Sequence, residues 1–392
     1  MKTILFAVGL LLLIGIEIAL VYYIMPFPGS QVDETVELAY FITKYVWAFR
    51  ILGLVLIGYP VVMFLKGKSS AIRANVIALL IFWLMVVYAV NFRFVASKMF
   101  YQPEHKVLVT AAKNKIEGDQ LVLGVMLGNE SKAYPIEIIG YHHQVRDTVG
   151  GQPIMVTYCT VCRTGRVYSP FVNGVAEEFR LVGMDHFNAM FEDGRTKSWW
   201  RQVSGEAITG PLKGNMLNEI PSEQMSLTAW LSRHPDSYIL QQDASFIAQY
   251  NELKDYDEGK MKGKLERRDS LSWHDKSWVV GISQGLFATA YDWNDLIAKR
   301  VINDVVGNAP VVVVLENDSV SFHAWSRVVG NDTLRLRYDE QTKMLTDQRN
   351  ESWNWHGEKV NSSGVKLTFM QAYQEYWHSW NTFHPQTKKY LP

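Results

Sequence analysis

The chain has 392 residues, of which 48% are hydrophobic and 20% are charged. This composition excludes an intrinsically disordered chain, and the length indicates two or three packing units. Lys plus Arg and Asp plus Glu both total 39, which argues against a nucleic-acid-binding protein that depends on neutralising phosphates. Two cysteines are too few for a small disulfide-dense scaffold.

Three apolar stretches, at residues 4–25, 45–65 and 75–95, occupy the first hundred positions. Each has about the 20 residues that a helix needs to cross a bilayer. Basic residues mark the loop between the second and third stretches, whereas the preceding loop is acidic or neutral; the basic residues are Lys66, Lys68 and Arg73. By the positive-inside rule, the sequence predicts a multi-pass protein of the cell inner membrane with its C-terminal domain on the periplasmic side.

Two charged residues interrupt these apolar stretches. Glu17 lies in the first stretch and Arg50 in the second. Because an isolated charge inside a membrane is costly, we predict that the two side chains form an ion pair.

The rest of the chain contains an internal repeat. VLGVMLGNESKAYPIEII at 122–139 aligns without a gap to VVGISQGLFATAYDWNDL at 279–296, and DTVGGQPIMV at 147–156 aligns in the same register to DVVGNAPVVV at 304–313. Each copy ends in W-x-x-x-H-P, and this symmetry predicts that His234 and His384 are structural residues at helix ends. The local patterns indicate a mostly β unit with a closing helix in each copy.

We therefore predict an α+β protein with three N-terminal transmembrane helices followed by a β-rich domain made of two tandem repeats. The predicted boundaries are 1–98 for the transmembrane anchor, 99–245 for the first repeat, 246–275 for a charged linker and 276–392 for the second repeat.

Both cysteines lie in the first repeat, as Cys159-Thr-Val-Cys162, and Glu316 takes the position of Cys159 in the second. Covalent haem attachment requires histidine after the second cysteine, and Arg163 stands there. The following residues indicate a turn into a strand, as in zinc knuckles, rather than the helix start of a thioredoxin-type dithiol. A metal or thiol-redox site, a structural Cys159–Cys162 disulfide and inert thiols all remain open.

Nearby histidines supply candidate metal ligands. We predict His142 as the leading additional ligand of Cys159 and Cys162, and His186 as the second. Asp147, with His143 and Asp185, is predicted to orient these ligands by hydrogen bonds, as metal-bound imidazoles commonly require. Two thiolates and an imidazole suit copper, and also zinc.

Several short motifs resemble those of the bacterial family catalogued as domain of unknown function 3179. They are AYP at 133–135, H-x-x-x-x-D-x-x-G-G at 142–151, V-T-Y-C-x-x-C at 156–162, S-x-W-x-Q at 198–202, G-E-A-I-x-G at 205–210 and F-H-P at 383–385. The chain departs from the family pattern at Arg146 and Thr160, where asparagine and proline are usual. The resemblance implies no activity, but it supports His142, Asp147, Cys159 and Cys162 as a set.

The sequence thus predicts a membrane-anchored envelope protein whose Cys-x-x-Cys site binds a soft metal ion, copper first and zinc second, or acts in thiol redox maintenance. The alternative is a non-catalytic assembly or interaction module with a structural Cys159–Cys162 disulfide, whose helices dock another envelope complex. The expected partner is the membrane, and nucleic acid is not expected. Whether the protein is an enzyme is left undecided by the sequence.

Overall fold

The structure is a computed structural model that describes residues 1–362 and 364–391. Its α-helices are α1 (Lys2–Tyr22), α2 (Val36–Leu65), α3 (Ser70–Tyr88), α4 (Ala96–Met99), α5 (Ile136–His142), α6 (Leu227–Arg233), α7 (Ile247–Glu252), α8 (Trp293–Lys299) and α9 (Trp377–Phe383).

The strands follow the apolar N-terminal helices and divide between the two halves of the remaining chain. Those of the first half are β1 (Leu108–Thr110), β2 (Leu121–Leu127), β3 (Glu130–Pro135), β4 (Gln144–Val149), β5 (Gln152–Cys159), β6 (Thr164–Tyr168), β7 (Phe171–Val172), β8 (Val175–Ala176), β9 (Phe179–Asp185), β10 (Asn188–Asp193), β11 (Trp199–Arg201), β12 (Ala207–Thr209), β13 (Ser222–Ser226) and β14 (Tyr238–Leu240). Those of the second half are β15 (Trp278–Gln284), β16 (Phe287–Asp292), β17 (Val301–Val306), β18 (Ala309–Leu315), β19 (Phe322–Ser326), β20 (Val328–Val329), β21 (Asp332–Thr333), β22 (Arg337–Asp339), β23 (Met344–Thr346), β24 (Ser352–Trp353), β25 (Thr368–Phe369), β26 (Tyr373–Tyr376) and β27 (Lys388–Lys389). The prediction of three apolar helices followed by a β-rich domain is confirmed.

The chain forms two compact units. The first contains Met1–Tyr101 and Glu177–Met216, and the second contains Gln102–Ala176 and Leu217–Pro392. The sheet β12-β11-β10-β9 therefore belongs to the same unit as the apolar helices, although the sequence predicts this segment as part of the first repeat. The candidate cysteines lie in the second unit.

In the first unit, three helical segments are long and apolar enough to cross a membrane: α1, α2 and Ser70–Arg93. The α1 and α2 backbones approach closely, since a Cβ atom on Gly9 would lie 2.7 Å from Ile57 Cγ2. Small residues commonly permit such close crossings of apolar helices. The helix–sheet packing of this unit includes a hydrogen bond from Met184 N to Ile24 O (2.7 Å).

The predicted pairing of Glu17 with Arg50 is confirmed. The Arg50 guanidinium donates from Nε to Glu17 Oε1 (2.7 Å) and from Nη2 to Glu17 Oε2 (2.8 Å). Asn91 completes the group, because its amide donates to Glu17 Oε2 (2.8 Å) and accepts from Arg50 Nη2 (2.9 Å). The Glu17 side chain is fully buried, so the apolar helices enclose a fully hydrogen-bonded polar group.

In the second unit, two series of elements have the same order and the same sheet topology. The strand order β14-β3-β2-β13 of the first half matches β27-β16-β15-β26 of the second, and the outer pairs β14–β3 and β16–β27 are both parallel. A helix follows β3 and β16 in turn, and the antiparallel sheets β4-β5-β6 and β17-β18-β19-β25 come next. This correspondence agrees with the alignment, while a duplication as its origin stays a prediction.

Equivalent tryptophans cover equivalent glycines in the two series. A Cβ atom on Gly124 would lie 2.2 Å from Trp230 Cζ3, and one on Gly281 would lie 2.3 Å from Trp380 Cε3. Both indoles are buried, so neither position has room for a side chain. His234 and His384 cap the two tryptophan-bearing helices, each donating its backbone N–H to the tryptophan carbonyl (2.9 Å), as predicted.

Candidate functional site

The two cysteines flank a tight turn between neighbouring strands. Cys159 ends β5, the turn runs over 160–163, and β6 begins at Thr164, which pairs with Cys159 across the ladder. Arg163 has a φ of 56°, which closes the turn in the left-handed region. Cys159 and Cys162 are completely buried thiols that hydrogen bond to each other. A strand–turn–strand geometry was expected here, and it brings the two sulfur atoms together.

Elements far along the chain hold this turn in place. The carbonyl oxygens of its first three residues accept hydrogen bonds from Tyr256 Oη to Thr160 (2.9 Å), from Lys276 Nζ to Val161 (2.7 Å) and from Tyr376 N to Cys162 (2.9 Å). Every backbone acceptor between the cysteines and at the second cysteine is therefore satisfied by residues of the later part of the second unit. These three hydrogen bonds hold the turn in place.

His378, on the first turn of α9, lies beside the thiols. The His378 side chain acts to lower the pKa of the Cys162 thiol, and its Nδ1 lies 3.0 Å from the Asp275 carbonyl oxygen. Because a carbonyl only accepts, Nδ1 must carry a proton in this contact, which leaves Nε2 as the ring acceptor when the imidazole is neutral. A neutral His378 therefore has its proton on Nδ1 and can take up a second proton at Nε2.

Burial and neighbouring groups shift the pKa values of Cys162 and Lys276 in opposite directions. Burial and the neighbouring Cys159 raise the pKa of Cys162, whereas the nearby His378 lowers it, and the net shift is strongly upward. Burial lowers the pKa of the Lys276 ammonium group, although the two cysteines favour its charged form. At neutral pH the Cys162 thiol is therefore held in its neutral form, with the side chains of Lys276 and His378 close by.

Two buried arginines fix the strand that follows the turn. Arg163 donates from Nε to Gln374 Oε1 (2.9 Å), and its guanidinium lies 3.8 Å from the centre of the Trp278 ring. Arg166 donates from Nη2 to Glu375 Oε1 (2.6 Å), and both of these side chains are almost fully buried. The start of β6 is thus tied to β26.

The predicted ligand His142 is buried against other partners. Its Nε2 lies 2.7 Å from Tyr250 Oη, and its ring packs edge-on against Phe246 (centroids 5.1 Å apart). His143 is also buried, and burial lowers its pKa to about 4, so this imidazole is neutral at physiological pH. Both side chains act here as packed residues of the α5 C-terminus.

The predicted orienting residue Asp147 lies among hydrogen-bond donors. Its carboxylate accepts from Lys106 Nζ and Tyr134 Oη, each at 2.8 Å. Burial acts to raise the pKa of Asp147, but these hydrogen bonds and one from the Thr148 backbone outweigh it, so the pKa is lowered. Asp147 is therefore a charged residue that ties β4 to Lys106 and β3.

His186 and Asp185 lie in the first unit, at the β9–β10 turn, whereas the cysteines lie in the second. His186 Nδ1 is 2.6 Å from Asp185 Oδ1, and Arg201 Nε donates to Asp185 Oδ2 (2.7 Å). The hydrogen bond with Asp185 raises the pKa of His186. These side chains form a local ion-pair group.

Within residues 1–362 and 364–391, no three His, Cys, Asp or Glu side chains are grouped so that they could hold a metal ion. The structure brings Cys159 and Cys162 together, while His142 and Asp147 bond to the partners described above. The predicted metal set stays a prediction. The residues that the sequence prediction missed are His378 and Lys276.

One sequence signal does distinguish His378. In the first series the corresponding helix α6 begins Leu227-Thr228, and in the second series α9 begins Trp377-His378. The backbone N–H groups at these second positions make equivalent bonds, from Thr228 to Gly118 O (2.8 Å) and from His378 to Asp275 O (3.0 Å). The imidazole, like the thiols, is thus found in one series only.

The model of one protein family, described as "Protein of unknown function (DUF3179)", matches residues 101–387. The chain belongs to this family. The match includes the Cys-x-x-Cys turn, His378 and both series of strands except β27, and it begins after the apolar helices. No curated protein and no solved structure matches the chain.

Proposed function

We propose that this family member is a membrane-anchored thiol–disulfide redox protein whose Cys159–Cys162 pair gives two electrons to a disulfide substrate. The observation that carries this proposal is the pair of neighbouring buried thiols on a turn that distant residues hold in place, with His378 close enough to lower the pKa of Cys162. Two neighbouring thiols are sufficient for reversible two-electron exchange, because they can form and break a disulfide with each other.

The reaction balances with the groups available. His378 accepts the Cys162 proton, and the Cys162 thiolate attacks one sulfur of the substrate disulfide, whose other sulfur leaves as a thiolate and takes up that proton. Cys159 then loses its proton to the substrate sulfur held on Cys162 and attacks Cys162. The substrate leaves as a dithiol, having gained two electrons and two protons, and a Cys159–Cys162 disulfide remains. An external dithiol reductant returns the pair to its resting state.

Burial of the two thiols affects the reduction potential that we expect for the pair. Because burial disfavours the thiolate, the reduced state gains no stabilisation from a low thiol pKa, in contrast to strongly oxidising dithiols. We therefore expect a reducing couple. We also expect exchange with large substrates to require opening of the three hydrogen bonds to the turn from Tyr256, Lys276 and Tyr376.

A soft metal ion, copper before zinc, is the second candidate. It is favoured by the same two sulfur atoms with an imidazole at Cys162, because thiolates select Cu(I) and also bind zinc. Metal binding would release the thiol protons, so its affinity would rise with pH. A third candidate is a structural disulfide in an assembly module, which the same experiment separates.

We further propose that α1, α2 and Ser70–Arg93 anchor the protein in the inner membrane with the second unit on the periplasmic side. The support is the length of these apolar helices and the basic loop between the second and third. The external dithiol reductant would then be another envelope component.

The exchange reaction tests the proposal directly. The full chain in detergent micelles is reduced, freed of reductant and mixed with a short peptide that contains one disulfide, and the release of peptide thiols is followed. We expect one peptide reduced per protein. His378→Gln should slow the reaction by about 10²-fold because it removes the base, whereas Cys159→Ser should stop it at a stable mixed disulfide.

His384→Gln is the matched control, since His384 caps the other end of α9 and does not contact the thiols in the proposed chemistry. No peptide reduction by the wild-type chain would contradict the proposal. Copper or zinc bound one to one and lost in Cys159→Ser would favour the metal site instead. A Cys159–Cys162 bond that resists dithiol reductants until the chain unfolds would favour the structural disulfide.

A further inference from the structure

A cavity of about 690 Å³ opens in the second unit, separate from the thiol pair. Trp278 and Trp293 form apolar walls, and the side chains of Asp257, Arg268 and Asp318 also line it. A volume of this order is typical of sites for small molecules, which combine apolar walls with a few convergent polar groups. The polar groups of the cavity indicate what it binds.

Asp257 has one carboxylate oxygen without a protein donor. Its Oδ2 accepts from Leu121 N (2.8 Å), whereas Oδ1 is buried and has no hydrogen-bond partner among the residues that the structure describes. Arg163 comes close, but it donates to the Asp257 backbone oxygen (3.1 Å). A buried carboxylate oxygen without a donor is costly, so a donor supplied by a molecule in the cavity would offset this cost.

Most of the charged residues that line the cavity are acidic. They include Asp119, Glu258, Glu316 and Asp318 besides Asp257, and Arg268 is the one basic residue of the lining among those described. The Arg268 guanidinium already has two partners: Nη2 donates to Asn294 Oδ1 (2.9 Å), and the group lies 4.3 Å from the centre of the Trp278 ring. An anionic ligand would meet net repulsion in this cavity, whereas a cation would be attracted.

We infer that the cavity binds a small organic cation whose ammonium group donates to Asp257 Oδ1 beside the indoles of Trp278 and Trp293. An ammonium group supplies both the missing donor and the charge that a desolvated carboxylate requires. Indole rings add attraction for a cation in a partly dehydrated site. A neutral polyol would supply the donor without the charge and is the alternative that the experiment excludes.

Protonation of Asp257 provides an independent signal. Burial raises its pKa to about 6, against the hydrogen bond from Leu121 N and the charge of Arg163, while Glu137 and Asp119 act in the same direction as burial. A bound cation favours the ionised carboxylate and so lowers the pKa of Asp257. Binding near pH 6 should therefore release a proton, and the affinity should fall as the pH drops below 6.

Calorimetric titration of the full chain in micelles tests this inference. The probe is diaminobutane and the matched neutral probe is butanediol. We expect the diamine to bind and the diol not to bind. Asp257→Asn, which keeps an acceptor for Leu121 N, should weaken diamine binding by about 10- to 100-fold, the loss typical of a charge-assisted hydrogen bond. Asp255→Asn, at an exposed position two residues away, should change nothing.

Titrations at pH 6 in two buffers of different ionisation enthalpy measure the proton release in the wild-type chain and do not depend on any variant. Absence of diamine binding, equal binding of the diol, or binding without proton release would each overturn the inference. The Cys159→Ser chain should bind the diamine like the wild type. The outcome for this cation site therefore does not depend on the outcome for the redox proposal.

Discussion

Replacement of Arg166 by methionine is expected to destabilise the second unit by about 3–5 kcal/mol, the cost of removing one partner from a buried ion pair. The Arg166 and Glu375 side chains are only 2% and 0% exposed, and Nη2 and Oε1 are 2.6 Å apart. Without the guanidinium, Glu375 keeps the hydroxyl donors of Thr164 (2.9 Å) and Ser379 (2.8 Å) but loses its counter-charge. The remaining carboxylate would be buried without compensation.

Denaturant-induced unfolding of the full chain, followed by tryptophan fluorescence, measures this effect. The double variant Arg166→Met with Glu375→Leu should recover much of the loss, since the fully buried carboxylate is removed and the other carboxylate beside Arg166, that of Glu219, is 32% exposed. Arg349→Met is the matched control, because Arg349 and Asp332 form an ion pair in which both side chains are at least half exposed. Its cost should not exceed about 1 kcal/mol. Equal costs for Arg166→Met and Arg349→Met would contradict the account.

The second large effect is expected among the apolar helices. Arg50→Met leaves the fully buried Glu17 carboxylate with the Asn91 amide as its remaining donor in this group. The expected cost is again about 3–5 kcal/mol, and the helices have no water to offset it where they cross a membrane. Loss of helicity on titration with a denaturing detergent, followed by circular dichroism, measures it.

A charge exchange separates pairing from the other effects of the substitution. Glu17→Arg and Arg50→Glu should each destabilise the helices strongly, whereas the double variant should be more stable than either single one because the pair is restored. Asn91 can serve both arrangements, since its amide both donates to Glu17 and accepts from Arg50. A double variant no more stable than the single ones would mean that the two charges act independently.

The local pattern of the sequence was sufficient to predict elements whose geometry neighbouring residues determine. The β4–β5 hairpin turns at Gly150 and Gly151, a pair typical of hairpin turns, and both glycines adopt positive φ, at 56° and 75°. The strand–turn–strand arrangement around Cys159 and Cys162 follows from the same kind of signal. The apolar helices and the Glu17–Arg50 pair were predictable because a membrane imposes length and charge constraints on each segment separately.

The candidate site was only partly predictable, because its members come together through long-range packing. His378 and Lys276 reach the cysteine turn through β15, β26 and α9, and no local pattern encodes that proximity. The predicted histidine, His142, is close to the cysteines in sequence, but its ring faces Tyr250. Likewise, the pattern of Glu177–Met216 identifies strands without indicating that they group with the apolar helices.

The most direct test of the redox proposal is the intact mass of the full chain after equilibration in mixtures of reduced and oxidised glutathione, with free thiols trapped by alkylation. The account predicts a single reversible transition in which the protein loses two hydrogen atoms and both alkylation sites, with Cys159→Ser showing no internal transition. Thiols that stay alkylatable under every oxidising mixture, or a bond that forms and cannot be reduced again in the folded chain, would contradict it.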